Sequence, residues 1–244
     1  FDADSGHSSV FETTHIISSK RYSEYMDYPI PEGLPDYPGH EHLASYFQSY
    51  AERFGVTERV EFGVMVRHCE PVEGGGWRVH LKPEGEPERV EDFDVLVVAN
   101  GHHWQPRWPE YPGEFAGEFL HSHDFKRAAP FRDQRVLVIG GGNSACDVAV
   151  ETSRISARTD LSWRRGYWIV PKFLFGVPSD HIHNMIHDKL GFVPRRIRFK
   201  GLEAMLRVFN GSNEAYGLPE PDHDFGETHP TVNSELLYFI RHGE

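Results

Sequence analysis

Two glycines, a pair of arginines and one histidine are the residues of this chain whose types and spacing could do chemistry. Gly140, Gly142 and Ala145 complete a G-x-G-x-x-A pattern directly after the apolar run Val136, Leu137, Val138 and Ile139. In such a pattern the first glycine permits a tight turn and the second leaves room for a pyrophosphate against the backbone. The small third residue lets a helix pack close to the strand. The amides that open the helix, from Asn143, Ser144 and Ala145, would face the phosphates. A tight strand-to-helix turn that binds nothing would carry the same pattern. A second strand is due about 20 residues later, ending in an acid for NAD or a basic group for NADP. Asp160-Leu161-Ser162-Trp163-Arg164-Arg165 ends in two arginines and carries its acid at the start. A guanidinium fork matches a 2′-phosphate, so Arg164 and Arg165 point to NADP, the alternative being a solvated basic pair.

Other chemistry finds little support. His183 and His187 would share one helical face near His181, but no cysteine spacing or third ligand accompanies them, so no metal site is expected. Cys146 lies in the helix after the glycine turn and reads as core. No serine sits in a nucleophile elbow and no carboxylate pair suggests hydrolysis. The net charge of -12 argues against nucleic acid or an anionic membrane as the main partner. Arg195, Arg196, Arg198 and Lys200 read as a solvated helix face. Cys69 and Cys146 stand in unrelated contexts, which suits a reduced, cytoplasmic protein, and no run of 18 apolar residues appears.

The elements that must position these residues form an α/β fold. Residues 1–39 read as loops broken by Pro29, Pro31, Pro35 and Pro38. Leu43, Tyr46, Phe47 and Tyr50 recur at helical spacing, which predicts an amphipathic helix over residues 40–54. Val60 to Val66 and Trp77 to Leu81 alternate as strands around Gly74-Gly75-Gly76, a small antiparallel excursion. Asp94 to Ala99 reads as a buried strand, as does the run before Gly140, which suits burial on both faces of a parallel sheet. It leads into Asn100-Gly101-His102-His103 and a proline-rich crossing. A boundary is expected there, with residues 1–130 and 131–244 as successive domains, helices over Phe173 to Phe209, and a polar segment to Thr231. The chain opens at Phe1 and stops in mid-pattern at Glu244, so it reads as a piece of something longer.

Phe115, Gly117, His121 and Phe125 then spell FxGxxxHxxx(F/Y), which resembles the fingerprint of flavin-containing monooxygenases, just ahead of the NADPH glycine turn. Ser18-Ser19-Lys20, Pro29-Ile30-Pro31, Trp163-Arg164-Arg165-Gly166 and Tyr216-Gly217-Leu218-Pro219 extend the resemblance across the chain. Baeyer-Villiger enzymes resemble it too, but their fingerprint closes on tryptophan where this one has Phe125.

The resemblance implies two Rossmann-like dinucleotide-binding domains in three layers, FAD and NADPH as cofactors, and dioxygen with a small-molecule substrate. The activity it implies is oxygenation of an amine nitrogen or a sulfide through a flavin hydroperoxide. It assigns Gly140, Gly142, Asn143, Ser144, Ala145, Arg164 and Arg165 to NADPH. Asn100 and Gly101 would approach the flavin nucleotide, and Val66 would offer its backbone near the adenine. His121 would be a hinge in the interdomain linker, or else only satisfy buried backbone groups. Gly117 would take backbone angles closed to other residues. The family's first glycine motif, its closing strand, and an asparagine at the place of Ile17 are missing from the pattern. A homodimer is compatible with it. Three alternatives stay open: an NADPH oxidase or reductase that releases peroxide, a Baeyer-Villiger enzyme, and a non-catalytic NADP-binding module.

Overall fold

A computed structural model of the chain describes residues 8–101 and 103–243; Phe1, His102 and Glu244, named above, lie outside them. Tertiary contacts divide the chain into two units, residues 45–105 and residues 1–44 with 106–244.

The smaller unit is an antiparallel meander. β1 (Val64–Pro71), β2 (Trp77–Pro83) and β3 (Arg89–Phe93) pair in the order β1-β2-β3. Gly74, Gly75 and Gly76 all take positive φ between the first two strands, where a side chain would be strained. β1 begins four residues later than the alternation at Val60 implied, and β3 carries no clear period-2 signal. Asp94 to Ala99 is not a strand. It pairs with no described segment, and Val95, Val97 and Val98 are exposed. A run of valines becomes a buried strand only where neighbours supply ladder partners and cover both faces. The predicted helix is α1 (His40–Arg53), which crosses the division between the units, with Tyr46 its buried residue.

The larger unit is built on β4 (Arg135–Ile139), α2 (Asn143–Ser153) and β5 (Arg158–Ser162), with β4 and β5 parallel in register from Arg135 opposite Arg158 to Ile139 opposite Ser162. Burial alternates along β4, so the expectation of burial on both faces is corrected. Val138 turns to the core, while Leu137 and Ile139 are exposed because no described element covers that face. Beyond β5 come β6 (Ile169–Val170), a hairpin of β7 (Phe173–Leu174) and β8 (Val177–Pro178), α3 (Ser179–Lys189) and α4 (Arg195–Asn210). β9 (Thr231–Val232) pairs parallel with β6, and α5 (Leu236–His242) follows.

α2 is the hub of this unit, with Cys146, Val148, Ala149, Val150 and Thr152 all buried. Cys146 and Val150 pack with Ile169 of β6 and Leu236 and Phe239 of α5. Val148 packs with Phe11 and Phe125 on another side. The α/β class and the Rossmann-like β4-α2-β5 crossover follow from this: a short apolar strand, a glycine turn, and a helix apolar enough to be buried around most of its circumference.

Candidate functional site

The glycine turn sits where β4 ends and α2 begins. Gly140 has φ +140°, and its amide donates to the Ser162 carbonyl at 3.0 Å, which ties the turn to the carboxyl end of β5. A methyl on Gly140 would meet Ala145 Cβ at 3.2 Å, so this pair sets how closely strand and helix approach. Gly142 caps α2 with φ -81° and ψ 175°, and a methyl there would find nothing within 4 Å. The amides of Asn143, Ser144 and Ala145 precede the first helical bond, from Cys146 N–H to the Gly142 carbonyl. Three N–H groups at a helix start, beside open space kept clear by a glycine, have the chemistry to hold an anion.

Gly141 is glycine for a different reason. A methyl on it would lie 2.2 Å from the Tyr167 ring. That ring has Trp163 edge-on at 5.3 Å and the Arg165 guanidinium 5.5 Å from its centroid. Arg164 and Arg165 follow the end of β5, whose last residue is bonded to the glycine turn. Arg164 is exposed, and Arg165 Nε is buried with no hydrogen-bond partner among the described residues. Asp160 lies inside β5 rather than at its start and is paired with Arg158 at 2.6 Å.

A strap from the distant segment Thr231–Asn233 is hydrogen-bonded to the turn and to α2. The Thr231 hydroxyl donates to the Gly141 carbonyl at 2.6 Å, and the Val232 amide donates to Asn143 Oδ1 at 2.7 Å. The Asn233 side-chain amide donates to Asp147 Oδ1 at 2.7 Å. Burial pushes the Asp147 carboxyl up to about 6, against the Asn233 hydrogen bond and the nearby Lys172 charge. Burial also lowers the Lys172 amine. Thr231, Asn233, Asp147 and Tyr167 were not legible as site residues. The strap lies 90 residues from the turn it holds, in a segment of prolines and histidines.

His121, inside the larger unit, accepts the His123 amide on Nδ1 at 3.1 Å, and its ring meets Trp108 edge-on at 5.5 Å. Phe125 is the anchor, 2% exposed, between Phe11 at 5.4 Å and Phe131 at 5.7 Å. Gly117 is not among the positive-φ glycines, which corrects the expectation of special backbone angles. Its methyl would lie 2.5 Å from the Phe115 ring, so space is what it supplies. Ile17 is 38% exposed at a bend beside Ser18. His181 Nε2 lies 3.0 Å from the Ser19 hydroxyl, and among the described residues no group of three or more His, Cys, Asp and Glu could hold a metal. Cys146 is fully buried, and desolvation pushes its thiol up to about 12.

In the smaller unit, Gly101 has φ +70°, and Asn100 accepts the Trp104 indole N–H on its carbonyl at 2.8 Å. Val66 lies on β1 at the point where the register shifts before His68. No described helix is long and apolar enough to cross a membrane.

The family model described as "Flavin-binding monooxygenase-like" matches residues 2–244. This chain belongs to the flavin-binding monooxygenase-like family. Among its curated relatives, flavin-containing monooxygenase 5 of Cavia porcellus is 32% identical over 246 residues, covering 95% of this chain and 45% of that protein. The chain therefore spans under half the length of that relative. Among solved structures, the S-allyl-L-cysteine S-oxygenase from Allium sativum matches with a TM-score of 0.61 and 30% identity, over 64% of this chain and 37% of that one. OTEMO in complex with FAD and NADP matches with a TM-score of 0.69 over 97% of this chain and 57% of that one. At 15% identity that likeness speaks for the dinucleotide-binding fold alone.

Proposed function

We propose that this member of the flavin-binding monooxygenase-like family serves an FAD- and NADPH-dependent monooxygenase that oxygenates a small soft nucleophile, an amine nitrogen or a sulfide. The observation that carries the reading is the glycine turn: open space at Gly142 beside three helix-start amides, with two arginines beyond the neighbouring strand. When bound, NADPH supplies hydride, and FAD accepts it and activates dioxygen. The chain's own residues hold and orient. Asn143, Ser144 and Ala145 present amides to the pyrophosphate, and Gly142 lets it approach. Arg164 and Arg165 take the 2′-phosphate, and the buried, unpartnered Arg165 Nε is a donor in want of such an acceptor. Residues 131–244 form the NADPH-binding part in this reading. Asn100, Gly101 and the backbone of Val66 would hold the flavin nucleotide, within the part made by residues 1–130.

His121 acts as a hinge of the linker. Its ring nitrogen accepts an amide two residues on, and Phe125, four residues on, is packed on Val148 of the nucleotide-binding helix. Ile17 favours a second reading, in which uncoupled turnover releases peroxide, because an apolar residue stands where the family often has asparagine.

Gly142→Ala tests the cofactor assignment. The backbone angles at 142 suit any residue and the methyl meets no neighbour, so the variant should fold as the parent does. Its NADP+ affinity should fall by about tenfold or more, as the methyl takes the place of the pyrophosphate. Unchanged affinity by calorimetric titration would remove the assignment.

A further inference from the structure

We propose that Thr231, Val232 and Asn233 are a clamp that sets the shape of the pyrophosphate loop, with Thr231 a positioning residue for the dinucleotide. The inference rests on the reading of Gly140 to Ala145 as the NADPH phosphate site.

Three consecutive residues each grip the loop or its helix, at Gly141, Asn143 and Asp147. The strap is itself fixed from its other side. The Thr231 amide donates to the Trp168 carbonyl at 2.9 Å and the Asn233 amide to the Val170 carbonyl at 3.0 Å, in the β6-β9 ladder. Asn233 Oδ1 also receives the amides of Glu235 and Leu236 at 2.9 and 2.7 Å, which joins the strap to the start of α5. The clamp is thus anchored to a strand and a helix, and Thr231 is 1% exposed.

The peptide between Gly141 and Gly142 is what needs holding. Glycine on both sides leaves this plane freer to rotate than one flanked by residues with side chains. In a trans peptide the carbonyl and the following N–H point in opposite directions. When the Thr231 hydroxyl holds the Gly141 carbonyl, the Gly142 N–H is therefore aimed the other way. Removal of the hydroxyl frees the carbonyl, and the ligand must then order the loop as it binds, which weakens affinity.

The test is calorimetric binding of NADP+ and of adenosine 2′-monophosphate, which carries the 2′-phosphate but no pyrophosphate, to the intact protein. Thr231→Val keeps the shape and loses the donor. It should weaken NADP+ about five- to tenfold and leave adenosine 2′-monophosphate within about twofold. Thr231→Ser restores the donor and should keep NADP+ within about twofold of the parent. If Thr231→Val does not fold, Asn143→Ala breaks the second grip at a half-buried position and should give the same split. Equal weakening of both ligands, or no weakening of NADP+ while Gly142→Ala weakens it, overturns the clamp. Gly142→Ala with undiminished NADP+ affinity overturns the site reading and the clamp with it.

Discussion

Gly141 and Gly142 are neighbours under different constraints, and substitution should separate them. Gly141→Ala drives a methyl into the Tyr167 ring and is expected to cost about 1 to 3 kcal/mol of stability, read from the urea midpoint, whereas Gly142→Ala spares stability. Arg164→Ala should cost about 1.5 to 3 kcal/mol of NADPH binding, roughly ten- to hundredfold, and leave NADH unchanged, so the ratio of kcat/KM values for the two cofactors collapses. An unaltered ratio would show that the arginines do not read the 2′-phosphate. Asp147 yields a pH prediction. Its folded-state carboxyl titrates near 6 against an ordinary 3.8, so the folded state holds the proton more tightly than the unfolded one. Stability is then lost as pH rises from about 4 to 6, up to about 3 kcal/mol. Asp147→Asn keeps an acceptor for Asn233 and should gain on the parent through that window, with the two alike below it. A difference between them that stays flat across the window would refute this.

At the scale of elements, α2 joins the glycine turn to the segment of His121 and Phe125 through the packing of Val148 on Phe125. Because His121 lies one turn of chain before that anchor, His121→Ala should leave NADPH binding within about threefold, about 0.7 kcal/mol, yet slow flavin reduction and raise peroxide yield. If the folded variant keeps both kinetic properties, His121 serves only its local turn. The core of α2 also gives a chemical check: Cys146, buried and with its thiol pushed up, should resist a thiol reagent until unfolding, while half-buried Cys69 reacts in the native state. Legibility in the sequence followed the range of the interactions. The β4 run, the glycine turn and the helix after it are specified by residues within one short window, and so were readable. Thr231 and Asn233 act across roughly 90 residues through single hydrogen bonds, which leave no periodicity. Val95, Val97 and Val98 misled in the opposite sense: composition favours a buried strand, but burial belongs to the neighbours.

For the molecule as a whole, each unit carries apolar surface that a packed domain seldom leaves open. Val95, Val97 and Val98 are exposed in the smaller unit, and Leu137 and Ile139 in the larger. A polypeptide of these 244 residues should therefore bind a hydrophobic dye such as ANS and self-associate, seen by light scattering on a sizing column. A monodisperse chain with no dye binding would contradict that. The separation between the glycine turn and its strap has a further consequence, in the order in which the chain is made. Synthesis at about 5 to 20 residues per second leaves the finished β4, α2 and β5 waiting on the order of 3 to 14 seconds before Thr231 exists. During that interval the Gly141 carbonyl lacks the Thr231 hydroxyl that holds it in the folded chain, and the nascent crossover is present with its turn unclamped.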